Sequence, residues 1–400
     1  LASSQTSSPA QPAPPADAGA AHAGSDFRPD IQGLRALAVV LVVCAHAGVP
    51  HLAGGYVGVD VFFVISGFVI TCLLRRQPSR TVGQNLAHFY ARRIRRIVPA
   101  ATVVLVVTVV ATYHWLGPSV GRPLVTDVRW ASLFAANWHL IATNASYFIP
   151  GVPPSLVTHF WSLAVEEQFY LGYPLVVFTL GVIFVPRHRT AALAVVLAVA
   201  VVVSSWWSIR QTGTDAVAAY YSPFTRFWEL ALGGLVALAP ASLARRTPRL
   251  NALLALGALA ALALAVWRLN DHSAYPGSLA WWPCAAAAVL LWSGSASSRL
   301  APAWWLSRRP VRYVGDVSYG FYLWHYAWLM LPAQYATTPM SATSRALQVA
   351  GAFGCAVVSY HLLEDPIRRS KWLDGDNLAA FMILVICLLV TWNVTLLYVR

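Results

Sequence analysis

Charge is what this sequence has least of. Asp, Glu, Lys and Arg make up 11% of its 400 residues, where a soluble domain carries about a quarter. That excludes an ordinary soluble globular protein. Lysine is nearly missing: Lys371 stands alone beside 27 arginines. Cysteine is scarce too. Cys44, Cys72, Cys284, Cys355 and Cys387 sit in or beside apolar runs without a CxxC pair, so they read as small buried hydrophobes and imply no zinc site or disulfide framework. No GxxxxGK[ST] phosphate loop occurs. Strict period-two alternation, the mark of a transmembrane barrel, is absent as well.

Apolar residues are abundant, at 58%, and they come in runs near the ~20 residues that cross a bilayer as a helix. Eleven spans are expected: 34–50, 56–74, 97–116, 160–184, 191–209, 223–239, 251–267, 279–292, 314–331, 345–363 and 378–399. The fold class is therefore all-α, a polytopic helical membrane protein. Residues 130–142 are too short and polar, with Asn137 and His139, and read as re-entrant or interfacial. Residues 1–26, rich in Ala, Pro and Ser, lack the apolar core of a secretory signal and read as a disordered tail.

The net charge of +13 would point to nucleic acid in a soluble protein. Here it has a simpler cause, so no nucleic-acid partner is expected. With the N-terminus cytoplasmic, most of the 28 basic residues fall on inner segments, in clusters such as 75–96, 245–249, 299–312 and 368–371. Counting 130–142 as a full span would turn the later clusters outward. The chain then reads as a multi-pass protein of the cell's inner (plasma) membrane with its C-terminus extracytoplasmic.

Polar groups converge at one depth of this bundle. His46 falls in the outer half of the first span, Asp60 a turn below the outer end of the second, and Glu166 and Glu167 about two turns into the fourth. Arg226 and Glu229 lie in the outer half of the sixth span, and His325 more than halfway out in the ninth. Intramembrane ionisable groups pair or line a cavity, and their convergence marks a site. Plainer readings stand beside this one. Arg226 and Glu229 at i,i+3 make a ready ion pair, Asp60 suits a helix start, and His325 fits a packing histidine in an aromatic belt. Adjacent Glu166 and Glu167 diverge by ~100° on a helix, so one serves a site and the other is partnered or solvated. Arg35 and His46, eleven residues apart, project from one helix face at its two ends. The arginines of FYARRIRRIVPA read as a topology anchor or as a grip on a polyanionic donor.

Taken together, FRPDIQGLRALAVVLVVCAH, GGYVGVDVFFVISGFVIT, FYARRIRRIVPA, HFWSLAVEEQFY, SYGFYLWHYAW and LLEDPIRR resemble the acyltransferase 3 family of integral membrane O-acyltransferases, in order over residues 26–370. The resemblance implies a ten-helix acyltransferase core over 27–372, with the helix at 377–400 as an extra transmembrane helix. The family's basic residue, ten intervening residues and a histidine fall on Arg35 and His46. Its Arg-x-x-Arg falls on Arg93 and Arg96, and its essential acidic residue on Glu167. In relatives with the extra helix, that helix leads to an SGNH-hydrolase-like domain. No GDS-type serine block or late Asp-x-x-His occurs in these residues, so either the sequence is part of a longer one or the chain works without that domain or partner.

The expected activity is transfer of an acyl group from acyl-CoA, commonly acetyl-CoA, to a hydroxyl of an extracytoplasmic glycan or glycolipid, within membrane lipid. His46, Glu167 and Arg35 are the expected catalytic residues, with His46 as general base or as an acyl-carrying nucleophile. Arg93, Arg96, Asp60, Arg226 and His325 are the expected substrate-binding residues, and no metal or bound cofactor is expected. Asp60 or Glu167 is the candidate partner of the His46 ring. The competing class is a transporter or flippase without covalent chemistry, which intramembrane polar groups fit equally well. A scaffold with a structural His46 is the third.

Overall fold

The computed structural model describes residues 28–76, 81–145, 154–240, 242, 247–294, 301–334, 340–370, 373 and 376–399. The tail expected over 1–26 lies outside them, as do Arg80, Arg245, Arg246, Arg299 and Lys371 of the basic segments. All regular structure among the described residues is helical.

The opening hairpin is α1 (Pro29–His46), a 3₁₀ turn (Ala53–Val57) and α2 (Gly58–Arg75). Next come α3 (Val82–Leu116), α4 (Pro118–Ser132) and α5 (Ala136–Ala142). The middle of the chain forms α6 (Phe160–Ile183), α7 (Pro186–Thr212), α8 (Ala216–Tyr221) and α9 (Pro223–Leu238). There follow α10 (Pro248–Arg268), α11 (Trp281–Ser293), α12 (Pro302–Leu306), α13 (Arg309–Asp316) and α14 (Ser318–Ala333). Last are α15 (Ala342–Ser359), continued through a π turn (Tyr360–Glu364) into α16 (Asp365–Arg369), and α17 (Asn377–Val399).

Each of the eleven expected spans is helical. Among the described residues, seven stretches are long and apolar enough to cross a bilayer: α1, Ala53–Arg75, α3, α7, α10, Ala342–Arg369 and Asn377–Tyr398. The other four fall on α6, which carries Glu166 and Glu167, and on α9, α11 and α14, of 16, 13 and 16 residues. The lipid-ready surface lies on the periphery, where α7, α15 and α17 expose Val195, Val199, Val202, Leu347, Val385 and Leu389.

Two segments carry detail beyond what was expected of them. Arg92, Arg93, Arg95 and Arg96 of the basic stretch lie on one helix with the third span, α3, of 35 residues, ~52 Å at ~1.5 Å per residue, whereas Arg75 ends α2. A reciprocal capping box starts it: Gln84 N–H donates to Thr81 Oγ1 (3.3 Å) and Thr81 N–H to Gln84 Oε1 (3.2 Å). The arginines of α3 are thereby held in rigid register with the span. Residues 130–142 are divided, with Phe134 at φ 51° between α4 and the seven-residue α5. Seven residues rise only ~10 Å, about a third of the hydrocarbon thickness. Asn137 instead turns inward, accepting from Gln168 Nε2 (2.9 Å) and donating to the Tyr221 carbonyl (3.3 Å).

A close backbone approach joins α2 to α9. A Cβ on Gly67 would collide with the Leu230 carbonyl oxygen, and one on Gly233 with the Val64 carbonyl oxygen. Small residues let helices meet this closely. Asp60 lies seven residues before Gly67, and Arg226 seven before Gly233, so each charge shares a face with its glycine. The glycine contact therefore sets carboxylate against guanidinium two turns away. α17 docks on α3 and α4, where Tyr113 donates to the Tyr398 carbonyl (2.5 Å) and Arg129 Nε to Thr395 Oγ1 (3.0 Å).

Candidate active site

The helix spacing sorts the arginines of α3. Arg93 and Arg96, at i,i+3, face a cavity of about 100 Å³ lined also by Arg35, Ser66, Glu166, Tyr170, Ser162 and Tyr322. Arg35 and Arg96 line a second cavity of about 130 Å³ as well, together with Asp316, Glu364 and Arg368. Arg92 pairs off the cavity with His88 (2.9 Å), and Arg95 donates to the Leu373 carbonyl. Within the first cavity Glu166 Oε1 accepts from Ser66 (2.7 Å) and Tyr170 (2.5 Å), with Arg93 Nη2 3.7 Å away. The Arg93 guanidinium stacks on Tyr170, 3.7 Å from the ring centroid. Its Nε and Nη2 are buried with no hydrogen-bond partner among the described residues. Buried donors are ordinarily satisfied, so three guanidinium groups around one carboxylate make this cavity a place for an anionic ligand.

The far end of the cavity is Ser162 and Tyr322, whose hydroxyls lie 2.7 Å apart. Tyr322 also donates to the His159 carbonyl (3.0 Å). Behind it three histidines gather around Tyr326. His46 Nδ1 is 2.9 Å from His325 Nε2, and His325 Nδ1 is 2.7 Å from the Tyr322 carbonyl. His46 meets the Tyr326 ring edge-on at 5.0 Å, while His159 stacks on it at 4.8 Å. His159 donates through Nε2 to the Leu323 carbonyl (3.2 Å).

Local sequence places His46 with care. α1 ends on it in a Schellman motif: Gly48 N–H donates to the Ala45 carbonyl (2.9 Å) and Val49 N–H to the Cys44 carbonyl (3.0 Å). Gly48 has φ +63°, the left-handed conformation that glycine adopts without strain. Arg345 Nη1 donates to the Ala47 (2.9 Å) and Gly48 (3.2 Å) carbonyls. The last helical residue of α1 is thus fixed both by its own turn and by a guanidinium from the start of α15. Arg35, eleven residues earlier on the helix, lines the cavities at the other end.

The sequence profile of the acyltransferase 3 family, described as an acyltransferase domain, matches residues 28–364. The chain belongs to this family. Peptidoglycan O-acetyltransferase OatA of Listeria monocytogenes is 32% identical over 361 residues, which cover 87% of this chain and 57% of that protein. O-acetyltransferase OatA of Staphylococcus aureus is 29% identical over 352 residues, covering 86% of this chain and 57% of the relative. The chain therefore spans a little over half the length of these relatives. No solved structure matches.

Within this acyltransferase domain the expected site residues divide into two groups. Arg35, Arg93 and Arg96 meet at the cavities, and His46 and His325 meet each other one residue layer beyond, across Tyr322. Asp60 and Arg226 lie apart from the cavity in a buried triad with Glu229. Arg226 Nη1 donates to Asp60 Oδ1 (2.9 Å) and Glu229 Oε1 (2.7 Å), and Nε to the Tyr220 carbonyl (3.2 Å). The His46 ring is thus partnered by His325, and Asp60 by Arg226. Donor atoms of Asp60, Glu229 and Cys284 lie within 4.8 Å of one another, but Arg226 takes an oxygen from each carboxylate and its charge opposes a cation there.

Of the adjacent glutamates, Glu166 lines the cavity, whereas Glu167 is not among its lining residues; its Oε1 is buried without a hydrogen-bond partner among the described residues. His159, Ser162, Tyr170 and Tyr322 are not among the site residues expected from sequence. His159, Ser162 and Tyr170 stand in HFWSLAVEEQFY and Tyr322 in SYGFYLWHYAW. The signal available was their place in the same two motifs as Glu166 and His325.

Proposed function

We propose that this chain is the membrane part of an O-acyltransferase that moves an acyl group from acyl-CoA at the cytoplasmic side to a hydroxyl of an extracytoplasmic glycan. Acetyl is the group named in its relatives and peptidoglycan the acceptor named for one of them, so acetyl-CoA and a cell-wall glycan are the first candidates. One observation carries the reading. Arg35, Arg93 and Arg96 share their cavity with Tyr322, whose main-chain carbonyl holds His325, and His325 in turn holds His46.

The chemistry asked of these residues is modest. Guanidinium groups hold the donor's phosphates at the inner end as planar forks. The imidazole of His46 takes the acceptor's hydroxyl proton while the oxygen attacks the thioester carbonyl. The carbon–sulfur bond breaks, and the CoA sulfur leaves with that proton. If the imidazole nitrogen attacks first, an acyl-histidine carries the group outward before the acceptor takes it. An SGNH-type domain or partner protein would then receive the group on the outer side. In this orientation the N-terminus is cytoplasmic and α17 ends outside.

The test is transfer in proteoliposomes loaded with labelled acetyl-CoA on the arginine side and offered muropeptides or polysaccharide on the other. Label is expected in the glycan ester fraction with wild-type protein and to be lost with His46→Ala. A folded His46→Ala protein that transfers at the wild-type rate removes His46 from the chemistry. Glycan transport that ignores acetyl-CoA would replace the enzyme with a transporter.

A further inference from the structure

The tautomer of His46 follows from a chain of hydrogen bonds that begins at a group unable to donate. The Tyr322 carbonyl 2.7 Å from His325 Nδ1 has no proton, so Nδ1 of His325 carries the hydrogen. The neutral ring's other nitrogen, Nε2, is then an acceptor. It faces His46 Nδ1 at 2.9 Å, so His46 donates through Nδ1 and holds its lone pair on Nε2. His325 is buried, and Tyr326 packs on His46 at one edge and against His159 on a face. The ring planes are therefore fixed as well as the protons.

Resting on the acyltransferase reading, we infer that His325 is a positioning residue that sets His46 as the Nδ1–H tautomer and so makes Nε2 the atom that accepts the acceptor's hydroxyl proton. When that proton arrives, the Nδ1–H···Nε2 bond to His325 takes part of the positive charge. When the donor's thiolate leaves, the proton passes from His46 Nε2 to sulfur. A neutral acceptor does this without a second buried ion, which would have to be taken out of water. Catalytic histidines are commonly held through the nitrogen that does not react, usually by a carboxylate or carbonyl. The nearest intramembrane carboxylate of the opening hairpin, Asp60, is bound to Arg226 instead.

Two variants and one spectrum test this. His325→Phe keeps the ring volume and removes the acceptor; His325→Gln keeps an oxygen able to accept from His46. In His325→Phe, kcat for acyl transfer is expected to fall on the order of 10²-fold or more, with the KM for acetyl-CoA within about 2-fold. His325→Gln is expected to recover part of the loss, roughly 10-fold. Histidine-selective ¹⁵N NMR of the wild type is expected to report His46 as the Nδ1–H tautomer, a preference lost in His325→Phe. Wild-type kcat in folded His325→Phe, or an Nε2–H tautomer in the wild type, overturns the inference. If the wild type transfers no acyl group but the tautomer still depends on His325, the acyltransferase reading falls and the positioning of His46 stands.

Discussion

Asp60 and Arg226 are separated by 166 residues in sequence and by 2.9 Å in space, carboxylate oxygen against guanidinium. Glu229 approaches the same Nη1 at 2.7 Å, and all three side chains are buried. Trp161, Tyr220 and Tyr275 surround the guanidinium with ring centroids 5.2–5.5 Å away. The triad ties α2 to α9 beside the histidine-bearing helices.

Removing its cation leaves two carboxylates in an apolar cage. Arg226→Met is expected to destabilise the protein by ~3–5 kcal/mol, the scale for breaking one side of a buried ion pair. Thermal unfolding in detergent measures this. The triple change Asp60→Asn, Arg226→Met and Glu229→Gln removes the charges together and is expected to recover most of the loss. If Arg226→Met melts like the wild type, the triad does not lock the two helices.

The contact between α2 and α9 can be loosened without touching a charge. Gly67→Ala forces a methyl group into the Leu230 carbonyl, and overpacking of this kind costs ~1–3 kcal/mol. Gly172→Ala in α6 meets nothing within 4 Å and is expected to be neutral or to stabilise by up to ~1 kcal/mol through helix propensity. Equal melting of the two variants would mean that the helices can separate freely.

How far the sequence could be read follows the range of each signal. Apolar length is local, and all eleven expected spans are helices. The i,i+3 relation of Arg226 and Glu229 is local too, and it holds as an ion pair. Their third member, Asp60, was not legible, because the depth of a residue along its span does not tell which neighbour its side chain turns toward. The same holds for His46 and His325, placed at similar depth by counting and joined only by the way α1 and α14 pack. Glu166 and Glu167 show the limit most sharply: their 100° divergence is certain from sequence, but which one meets the cavity depends on the rotation of α6.

The division among the arginines of α3 predicts a division in kinetics. Arg93→Gln and Arg96→Gln are expected to raise the KM for acetyl-CoA by about 10-fold or more, the loss of one charge-assisted contact of ~1.5–3 kcal/mol. Arg92→Gln, whose partner His88 lies off the cavity, is expected to stay within about 2-fold of wild type. An equal rise in all three would make the cluster a general electrostatic attractor, and the rise would then vanish at high salt.

The last turn of α1 offers a way to move His46 without changing it. Gly48→Ala puts an L side chain at φ +63° and drives its Cβ toward Arg345 Nη1. The left-handed conformation alone costs ~1–2 kcal/mol, and the strain falls two residues from the imidazole. Unwinding of the turn is the expected relief, and it is expected to lengthen the Nδ1···Nε2 contact with His325. Arg345→Ala loosens the same turn from outside, by leaving the Ala47 and Gly48 carbonyls without that donor. Both variants are expected to lower kcat several-fold with little change in the KM for acetyl-CoA, since Arg35, Arg93 and Arg96 sit at the opposite end of the site. A rise in KM with kcat unchanged would show that the end of α1 serves donor binding instead, and that the histidine pair tolerates displacement.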